Sequence, residues 1–166
     1  IKLKIQQRSY LVEQYIKKTK GKLLDVGCGE GFTLKHYTEK QWQVKGIDFS
    51  IAGLEQHNPD MLDYVDIGDI YEILPRYLDK SQTYDVIFVN NVLEHVIDPI
   101  NLLRVLIKLI ARKGLLVVTV PNDCSDLQEH CLKNKLIPDR FWISLPDHLS
   151  YFSYESLHSI AKHTGW

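Results

Sequence analysis

The sequence predicts an α/β protein with a doubly wound parallel sheet, because two kinds of segment alternate along the chain. Short apolar runs rich in Val, Ile and Leu are separated by longer amphipathic stretches, an alternation typical of βα units around a parallel sheet. The 166 residues, 45% of them hydrophobic, have the size of one globular domain. No internal repeat or interdomain linker divides the sequence, so we expect a single domain over residues 1–166.

The first half of the chain is predicted to contain three strands and four helices. Leu11, Tyr15 and Ile16 repeat at helical spacing, and the basic residues before Gly21 are typical of a helix end. The predicted elements are a helix within residues 1–21, a strand at Lys22–Val26, a helix at Thr33–Lys40, a strand at Gln43–Ile47, a helix capped by Ser50 that ends near His57, a strand at Leu62–Ile67 and a helix at Tyr71–Leu78 that Pro75 interrupts.

The second half is predicted to contain two strands and two helices. Asp98 followed by Pro99 is a favourable N-cap and first-turn pair for a helix. The predicted elements are a buried strand at Tyr84–Val89, a helix that begins after Asp98 and ends with Arg112, Lys113 and Gly114, a strand at Leu115–Val120, an irregular or partly helical stretch over residues 122–149, and a final helix that Ser153 caps.

Composition excludes several classes of protein. Twenty Lys and Arg residues against 21 Asp and Glu give a net charge of −1, which lacks the basic excess of a broad nucleic-acid footprint. No apolar run reaches the roughly 20 residues of a membrane span, and the first residues do not form a signal peptide. Cys28, Cys124 and Cys131 show no paired spacing, so neither a disulfide framework nor a zinc site is expected. We therefore expect a cytoplasmic protein.

The most specific motif is the run from Leu23 to Phe32, in which a strand leads into three glycines at alternate positions. Glycines at such a turn let the backbone approach a ligand and direct amide groups at it. The dinucleotide fingerprint is G-x-G-x-x-G. Here Gly27, Gly29 and Gly31 give G-x-G-x-G, in which the last spacing is one residue shorter, and Asp25 lies inside the preceding strand. The motif therefore predicts a ligand other than a dinucleotide.

At this run the sequence resembles the class I S-adenosylmethionine-dependent methyltransferases, whose usual pattern is a strand followed by D-x-G-x-G-x-G. The resemblance implies a Rossmann-like sheet and a cofactor whose ammonium group Asp25 holds. It also implies that Asp48, which closes the second strand, binds the ribose hydroxyls, that Phe49 packs on the adenine unless it is a core aromatic, and that Asp69 binds the adenine amino group. The expected cofactor contacts are Asp25, Gly27, Cys28, Gly29, Gly31, Phe32, Asp48, Phe49, Ser50, Gly68, Asp69, Ile70, Asn90, Asn91 and Val92.

The resemblance also implies a division of the chain. The expected parts are an N-terminal helix at residues 1–21, a cofactor-binding core at 22–121, an acceptor-side loop or lid at 122–152 and a final helix at 153–166. Phe141 and Trp142 are the expected acceptor contacts of the lid, whereas Tyr151 and Phe152 line the acceptor pocket or pack in the core. Such domains usually end with two further strands, so we expect these C-terminal strands to be missing from this chain.

Glu94 and His95 follow the fourth strand and are expected at the mouth of the pocket, where His95 is the candidate base and His148 a second one. An ordinary loop histidine is the alternative. Ubiquinone-pathway O-methyltransferases and small-RNA 2′-O-methyltransferases carry E-x-x-E-H here, and in those branches the motif is associated with a divalent metal. This chain has Asn91 in place of the first acid, a weaker ligand for a hard cation, so no metal is expected.

The sequence therefore predicts S-adenosylmethionine-dependent methyl transfer to a small-molecule acceptor, with oxygen favoured as the methylated atom. An NAD-dependent oxidoreductase, a cofactor-binding domain without catalysis and a metal-assisted RNA 2′-O-methyltransferase are the alternatives. The oligomeric state is not predicted.

Overall fold

The computed structural model describes residues 2–123 and 125–166, so Ile1 and Cys124 lie outside the described residues. Its five strands form one all-parallel sheet in the order β3-β2-β1-β4-β5. The strands are β1 (Lys22–Val26), β2 (Gln43–Asp48), β3 (Val65–Ile67), β4 (Tyr84–Asn90) and β5 (Ile110–Thr119). The order reverses between β1 and β4, which places the expected ligand crevice beyond the carboxyl ends of those two strands.

Helices cover both faces of the sheet, as a doubly wound fold requires. They are α1 (Lys2–Ile16), α2 (Phe32–Glu39), α3 (Ala52–His57), α4 (Ile70–Asp79), α5 (Pro99–Leu109), α6 (Asp126–Lys133) and α7 (Tyr154–Thr164). One apolar cluster packs α4, α5 and α7 against the sheet, and a second packs α1, α2 and α3 on the other side. The predicted fold is confirmed. Within the described part of the chain, no helix combines the length and the apolar character needed to span a bilayer.

Two predicted boundaries are wrong. The strand expected from Leu62 begins only at Val65, because Pro59–Tyr64 form a 3-10 helix that starts with a proline whose fixed φ favours a helical turn. The helix expected to end at Lys113 and Gly114 ends at Leu109, and β5 begins at the next residue.

The residues taken for a helix end are an irregularity inside β5. Lys113 has a φ of 64°, and the pairing of β4 with β5 shifts register between Tyr84 and Val86. A Cβ on Gly114 would lie 3.0 Å from the carbonyl oxygen of Asp85. A left-handed residue followed by glycine thus marks a bulge against β4 here.

Two of the three predicted helix caps are confirmed. Asp98 caps α5 by accepting the N–H of Asn101 at 2.9 Å, and Ser153 caps α7 through a reciprocal bond pair with Ser156, both as predicted. Ser50 is not the cap of α3, because Ile51 holds that position, but its hydroxyl accepts the N–H of Ala52 at 3.3 Å. Helix α4 contains Pro75 and still continues to Asp79.

Candidate active site

A cavity of about 260 Å³ lies at the carboxyl ends of β1 and β4. The end of β3 is tied to β2 by the N–H of Gly68, which donates to the carbonyl of Asp48 at 2.9 Å. The cavity is lined by Lys4, Ile5, Arg8, Asp25, Gly27, Cys28, Gly29, Glu30, Phe32, Thr33, Asn90 and Asn91. It therefore brings the acid of β1, the glycine turn and the end of β4 into one site.

Three amides of the glycine turn that were expected to face a ligand are occupied by acceptors of the protein itself, which corrects the sequence prediction for these three groups. The N–H groups of Gly27 and Cys28 donate to the carbonyl of Ile47 at 2.8 and 3.1 Å, and that of Gly29 donates to Asp48 Oδ2 at 2.7 Å. The reason is that the turn crosses the end of β2, whose acceptors take these donors first. The glycines of the turn instead allow the tight backbone path and leave room for a ligand.

The glycines serve different purposes. Gly27 has a φ of 71°, and a Cβ there would overlap with the side chain of Val92. Gly29 has a φ of 53° with nothing within 4 Å of a Cβ, so it faces open space in the cavity. Gly31 packs against Leu54, 2.6 Å from where its Cβ would be. Among these three glycines, Gly29 is therefore the one that combines a left-handed backbone with room for a ligand.

Asp25 is the most perturbed acid of the site. Its side chain is 2% exposed, and Oδ1 has no hydrogen-bond partner among the described residues. Burial raises the pKa of this carboxyl to about 7, although the Thr33 hydroxyl and the charge of Arg8 act in the opposite direction. A buried acceptor without a partner is costly, and a cationic group in the cavity would satisfy it.

Asp48 organises the turn with both of its oxygens. Oδ2 accepts the N–H of Gly29, and Oδ1 accepts the N–H of Ser50 at 3.1 Å. Since each carboxylate oxygen has two lone pairs, Asp48 retains the capacity to accept ligand hydroxyls. Phe49 is 86% exposed, which excludes the core alternative for this ring.

Other predicted contacts lie outside the lining of the cavity. Asp69 is exposed and caps α4 by accepting the N–H of Tyr71 at 2.8 Å. The predicted contacts that lie outside the lining are Gly31, Asp48, Phe49, Ser50, Gly68, Asp69, Ile70 and Val92.

Glu94, His95 and His148 form a cluster beside the end of β4, which we call the Glu–His cluster. One carboxylate oxygen of Glu94 and one ring nitrogen of each histidine lie within 4.8 Å of one another, and the centroids of the two rings are 4.9 Å apart with the planes at 75°. Glu94 is 1% exposed and so lies beneath the surface rather than at a mouth, because the 3-10 helix Leu93–His95 turns it inward. Burial raises its pKa above the usual range, while His95 and His148 act against that rise.

The hydrogen bond of His95 fixes its tautomer. Its Nδ1 lies 2.7 Å from the backbone carbonyl oxygen of Asp147. A carbonyl oxygen only accepts, so Nδ1 carries the proton, and Nε2 of the neutral ring is free to accept another. His148 is half-buried, and its Nδ1 has no partner among the described residues. The cluster thus contains one oriented base and a buried acid.

The acceptor-side segment is fixed to this cluster by its backbone. The N–H groups of Leu149 and Ser150 donate to the carbonyl of Glu94 at 2.7 and 3.1 Å. Phe152 is 3% exposed in the core, so core packing is confirmed for it. Trp142 is 7% exposed and Phe141 70% exposed, so Trp142 packs inward and Phe141 is the freer of the two predicted acceptor contacts.

The sequence reasoning missed six residues, of which Glu30 and Thr33 adjoin the glycine turn and line the cavity. Lys4, Ile5 and Arg8 of α1 line the cavity, although the N-terminal helix was placed outside the cofactor-binding core. Asp123 is 2% exposed, with Oδ2 lacking a partner among the described residues. The spacing of Lys4 and Arg8 puts them on one helix face, but basic residues on a surface helix are too common to mark a site.

The Glu–His cluster is compact enough to surround one cation, with one carboxylate and two imidazoles as ligands. Asn91, which stands where the related motif has an acid, is exposed and lines the cavity instead. The absence of a metal therefore stays a prediction.

Comparisons with known proteins agree on one family. A family model described as a methyltransferase domain matches residues 4–166. Ubiquinone biosynthesis O-methyltransferase of Histophilus somni (strain 2336) is 31% identical over 119 residues, which are 68% of this chain and 50% of that protein. O-methyltransferase 11 of Lophophora williamsii is 29% identical over 124 residues, which are 70% of this chain and 30% of that protein. The chain thus spans half or less of these two relatives.

Solved structures support the same fold. The crystal structure of a SAM-dependent methyltransferase from Archaeoglobus fulgidus superposes with a TM-score of 0.68 at 24% identity, and the match covers 98% of this chain and 67% of that one.

Proposed function

Because the chain belongs to the methyltransferase-domain family, we propose that it binds S-adenosylmethionine at the carboxyl edge of the sheet and methylates a hydroxyl oxygen of a small molecule. The observation that carries the proposal is the cavity between α1 and the glycine turn, with the unpartnered Oδ1 of buried Asp25 in it. The names of the two curated relatives, both O-methyltransferases, support oxygen as the acceptor atom.

The residues fit this cofactor. An ammonium group beside Asp25 would satisfy its orphaned oxygen and hold it ionised, since an adjacent positive charge lowers a carboxyl pKa. Gly29 leaves open space for the amino-acid end. When bound, S-adenosylmethionine supplies a methyl group already activated on a sulfonium, so the protein's task is alignment and exclusion of water.

The remaining cofactor contacts are proposed from their positions at the strand ends. Asp48, oriented by Gly29 and Ser50, accepts hydrogen bonds from the ribose hydroxyls through its free lone pairs. The exposed ring of Phe49 packs on the adenine, and Asp69 accepts from the adenine amino group. These roles share one requirement, that the ligand extend from the cavity along the ends of β2 and β3.

His95 is proposed as the base that takes the proton of the acceptor hydroxyl. Its Nε2 is free to accept because Nδ1 donates to Asp147. Glu94, buried beneath the two rings, stabilises the imidazolium that forms. Because removal of the proton makes the oxygen a stronger nucleophile, this step raises turnover without contributing to cofactor affinity.

The alternatives are less well supported. The family match argues against an NAD-dependent oxidoreductase, and the net charge of −1 argues against an RNA substrate. A domain that binds the cofactor without catalysis would retain cofactor affinity and show no turnover with any acceptor of the screen. The cytoplasmic location and the small-molecule acceptor are parts of the proposal.

Calorimetric titration with S-adenosylhomocysteine, with NAD as the parallel ligand, tests the cofactor. We expect saturable binding of the first only, and binding of NAD alone would reject the proposal. The base is tested with His95→Gln in an acceptor screen with radiolabelled S-adenosylmethionine. A fall in turnover of about 10²-fold or more at unchanged cofactor affinity is expected, with His158→Gln on α7 as the matched control. Unchanged turnover would remove His95 from the mechanism.

A further inference from the structure

A second and larger cavity, of about 610 Å³, lies at the opposite edge of the sheet from the candidate active site. Lys22, Gln43 and Tyr84, which line it, are the first residues of β1, β2 and β4. Residues 80–83, which connect α4 to β4, form another part of its wall. We call it the amino-edge cavity, and the proposed methyl transfer at the carboxyl edge does not use it.

The amino-edge cavity is basic, although the chain as a whole has a net charge of −1. Three lysines line it, Lys22, Lys45 and Lys80, against one acid, Asp66, so the lining carries two more positive than negative charges. Like charges that share a cavity repel one another, and a bound anion would relieve this repulsion.

The acid of the lining is already paired. Asp66 accepts hydrogen bonds from Lys45 Nζ and, at 2.7 Å, from the hydroxyl of Tyr77. Lys22 and Lys80 are exposed, and neither forms an ion pair within residues 2–123 and 125–166. Their two ammonium groups are therefore available to a ligand.

Neighbouring groups do not cancel this charge. Asp85 adjoins Lys22, but its Oδ1 pairs with Lys18 and its Oδ2 accepts the backbone N–H of Lys22 at 2.8 Å. The C-terminal end of a helix carries partial negative charge on its last carbonyl groups. In α4 three of these carbonyls accept the N–H groups of residues 80–82, which reduces their effect on an anion in the cavity.

The buried side of the amino-edge cavity is held in place by two tyrosines. Tyr77 and Tyr84 are buried, with ring centroids 6.2 Å apart. The hydroxyl of Tyr84 donates to Gln82 Oε1 at 2.8 Å, so this polar group too has a fixed partner. Ser81 and Thr83 are exposed and add hydroxyl donors to the lining. The cavity thus combines a packed base with exposed donors for an anion.

We propose that the amino-edge cavity binds the phosphate group of a small-molecule ligand, with Lys22 and Lys80 as its cationic contacts. Lysine binds phosphate as a compact point charge that needs no fixed bidentate geometry, and two exposed ammonium groups suit a dianion. A volume of about 610 Å³ lies within the range of small-molecule sites, so it leaves room for an organic part beside the phosphate.

The test is titration of the ¹⁵N-labelled chain with pyrophosphate, ribose 5-phosphate and ribose, followed through the amide chemical shifts. We expect saturable shifts at residues 43–45 and 80–84 with both phosphates, and none with ribose. The double variant Lys22→Gln/Lys80→Gln should weaken binding of both phosphates by about tenfold or more. The control Lys133→Gln/Lys162→Gln removes the same charge from α6 and α7, and should change the affinity by less than about twofold. The amide spectrum also shows that each variant is folded.

The outcomes identify the ligand or overturn the inference. Binding of both phosphates supports an organic phosphate as the ligand, and binding of pyrophosphate alone supports a free inorganic anion. Lack of saturable binding, equal shifts with ribose, or equal weakening by the control variant would overturn the proposal. Shifts confined to residues 25–31 would place the anion at the carboxyl edge and would overturn it as well. None of these results depends on S-adenosylmethionine, so this inference and the proposed function fail separately.

Discussion

Replacement of Asp25 by Asn should make the ligand-free protein more stable at neutral pH. The carboxyl is buried with Oδ1 unpartnered, and burial raises its pKa from 3.8 to about 7. The folded state therefore holds a proton that the unfolded state loses between these two values. Stability falls with rising pH wherever the folded state binds more protons, so the penalty from Asp25 grows from pH 4 to pH 7 and is constant above.

The size of the penalty follows from the pKa difference. A shift of about three units corresponds to at most about 4 kcal/mol, at 1.36 kcal/mol per unit. Urea unfolding of both proteins at pH 4.5, 6 and 7.5 measures it as the difference in unfolding free energy, in which the other titrating groups cancel. We expect Asp25→Asn to be the more stable by a margin that increases over this range.

The same substitution should abolish high-affinity binding of S-adenosylhomocysteine, since a neutral amide lacks the negative charge that pairs with an ammonium group. A stability difference that is zero or negative at pH 7.5, or that does not change with pH, would refute the argument from burial. Asp66→Asn serves as the control, because that acid is partly exposed and paired with Lys45.

Further outcomes are expected at the turn and in the Glu–His cluster. Gly27→Ala should lower the free energy of unfolding by about 2–4 kcal/mol, because of backbone strain and overlap with Val92. Gly29→Ala should lower it by only about 1–2 kcal/mol and should reduce cofactor affinity instead. Urea unfolding measures the stability and calorimetry the affinity, and equal losses of stability would contradict the assignment of open space to Gly29. Asp48→Asn places an NH₂ against a backbone N–H, so the affinity for S-adenosylhomocysteine should fall about tenfold or more, and an unchanged affinity would remove Asp48 from the site. Addition of a chelator should leave turnover unchanged, and loss that a divalent cation restores would assign a metal to the cluster.

Two helix starts could be predicted from local chemistry. Asp98 and Ser153 could be predicted as caps because a cap depends on neighbours within three residues. The start of β5 could not be predicted, since Lys113 and Gly114 resemble a helix end and become a bulge only through their register with β4. The start of β3 was predicted three residues too early for a similar reason, because the residues before it pack as a 3-10 helix.

The cavity was predicted in part. Asp25 and the glycines follow β1, and the end of a strand at the switch in strand order is a position that the fold dictates. Arg8 and Lys4 come from a helix before the first strand, and only tertiary packing brings that helix to the cavity. The occupied amides of the turn were also beyond sequence reasoning, because Ile47 and Asp48 compete for them across the sheet.

The buried acids of this edge favour a ligand site over a structural one. Asp25, Glu94 and Asp123 each have a carboxylate oxygen without a partner among the described residues. Asp25 lies near the end of β1, whereas Glu94 and Asp123 follow β4 and β5. A purely structural acid gains nothing from such a position, since an apolar residue of similar volume would avoid the desolvation cost. The three buried acids therefore lower the stability of the ligand-free protein. We expect the ligands to supply the missing partners, a cation at Asp25 and the methyl acceptor at the Glu–His cluster.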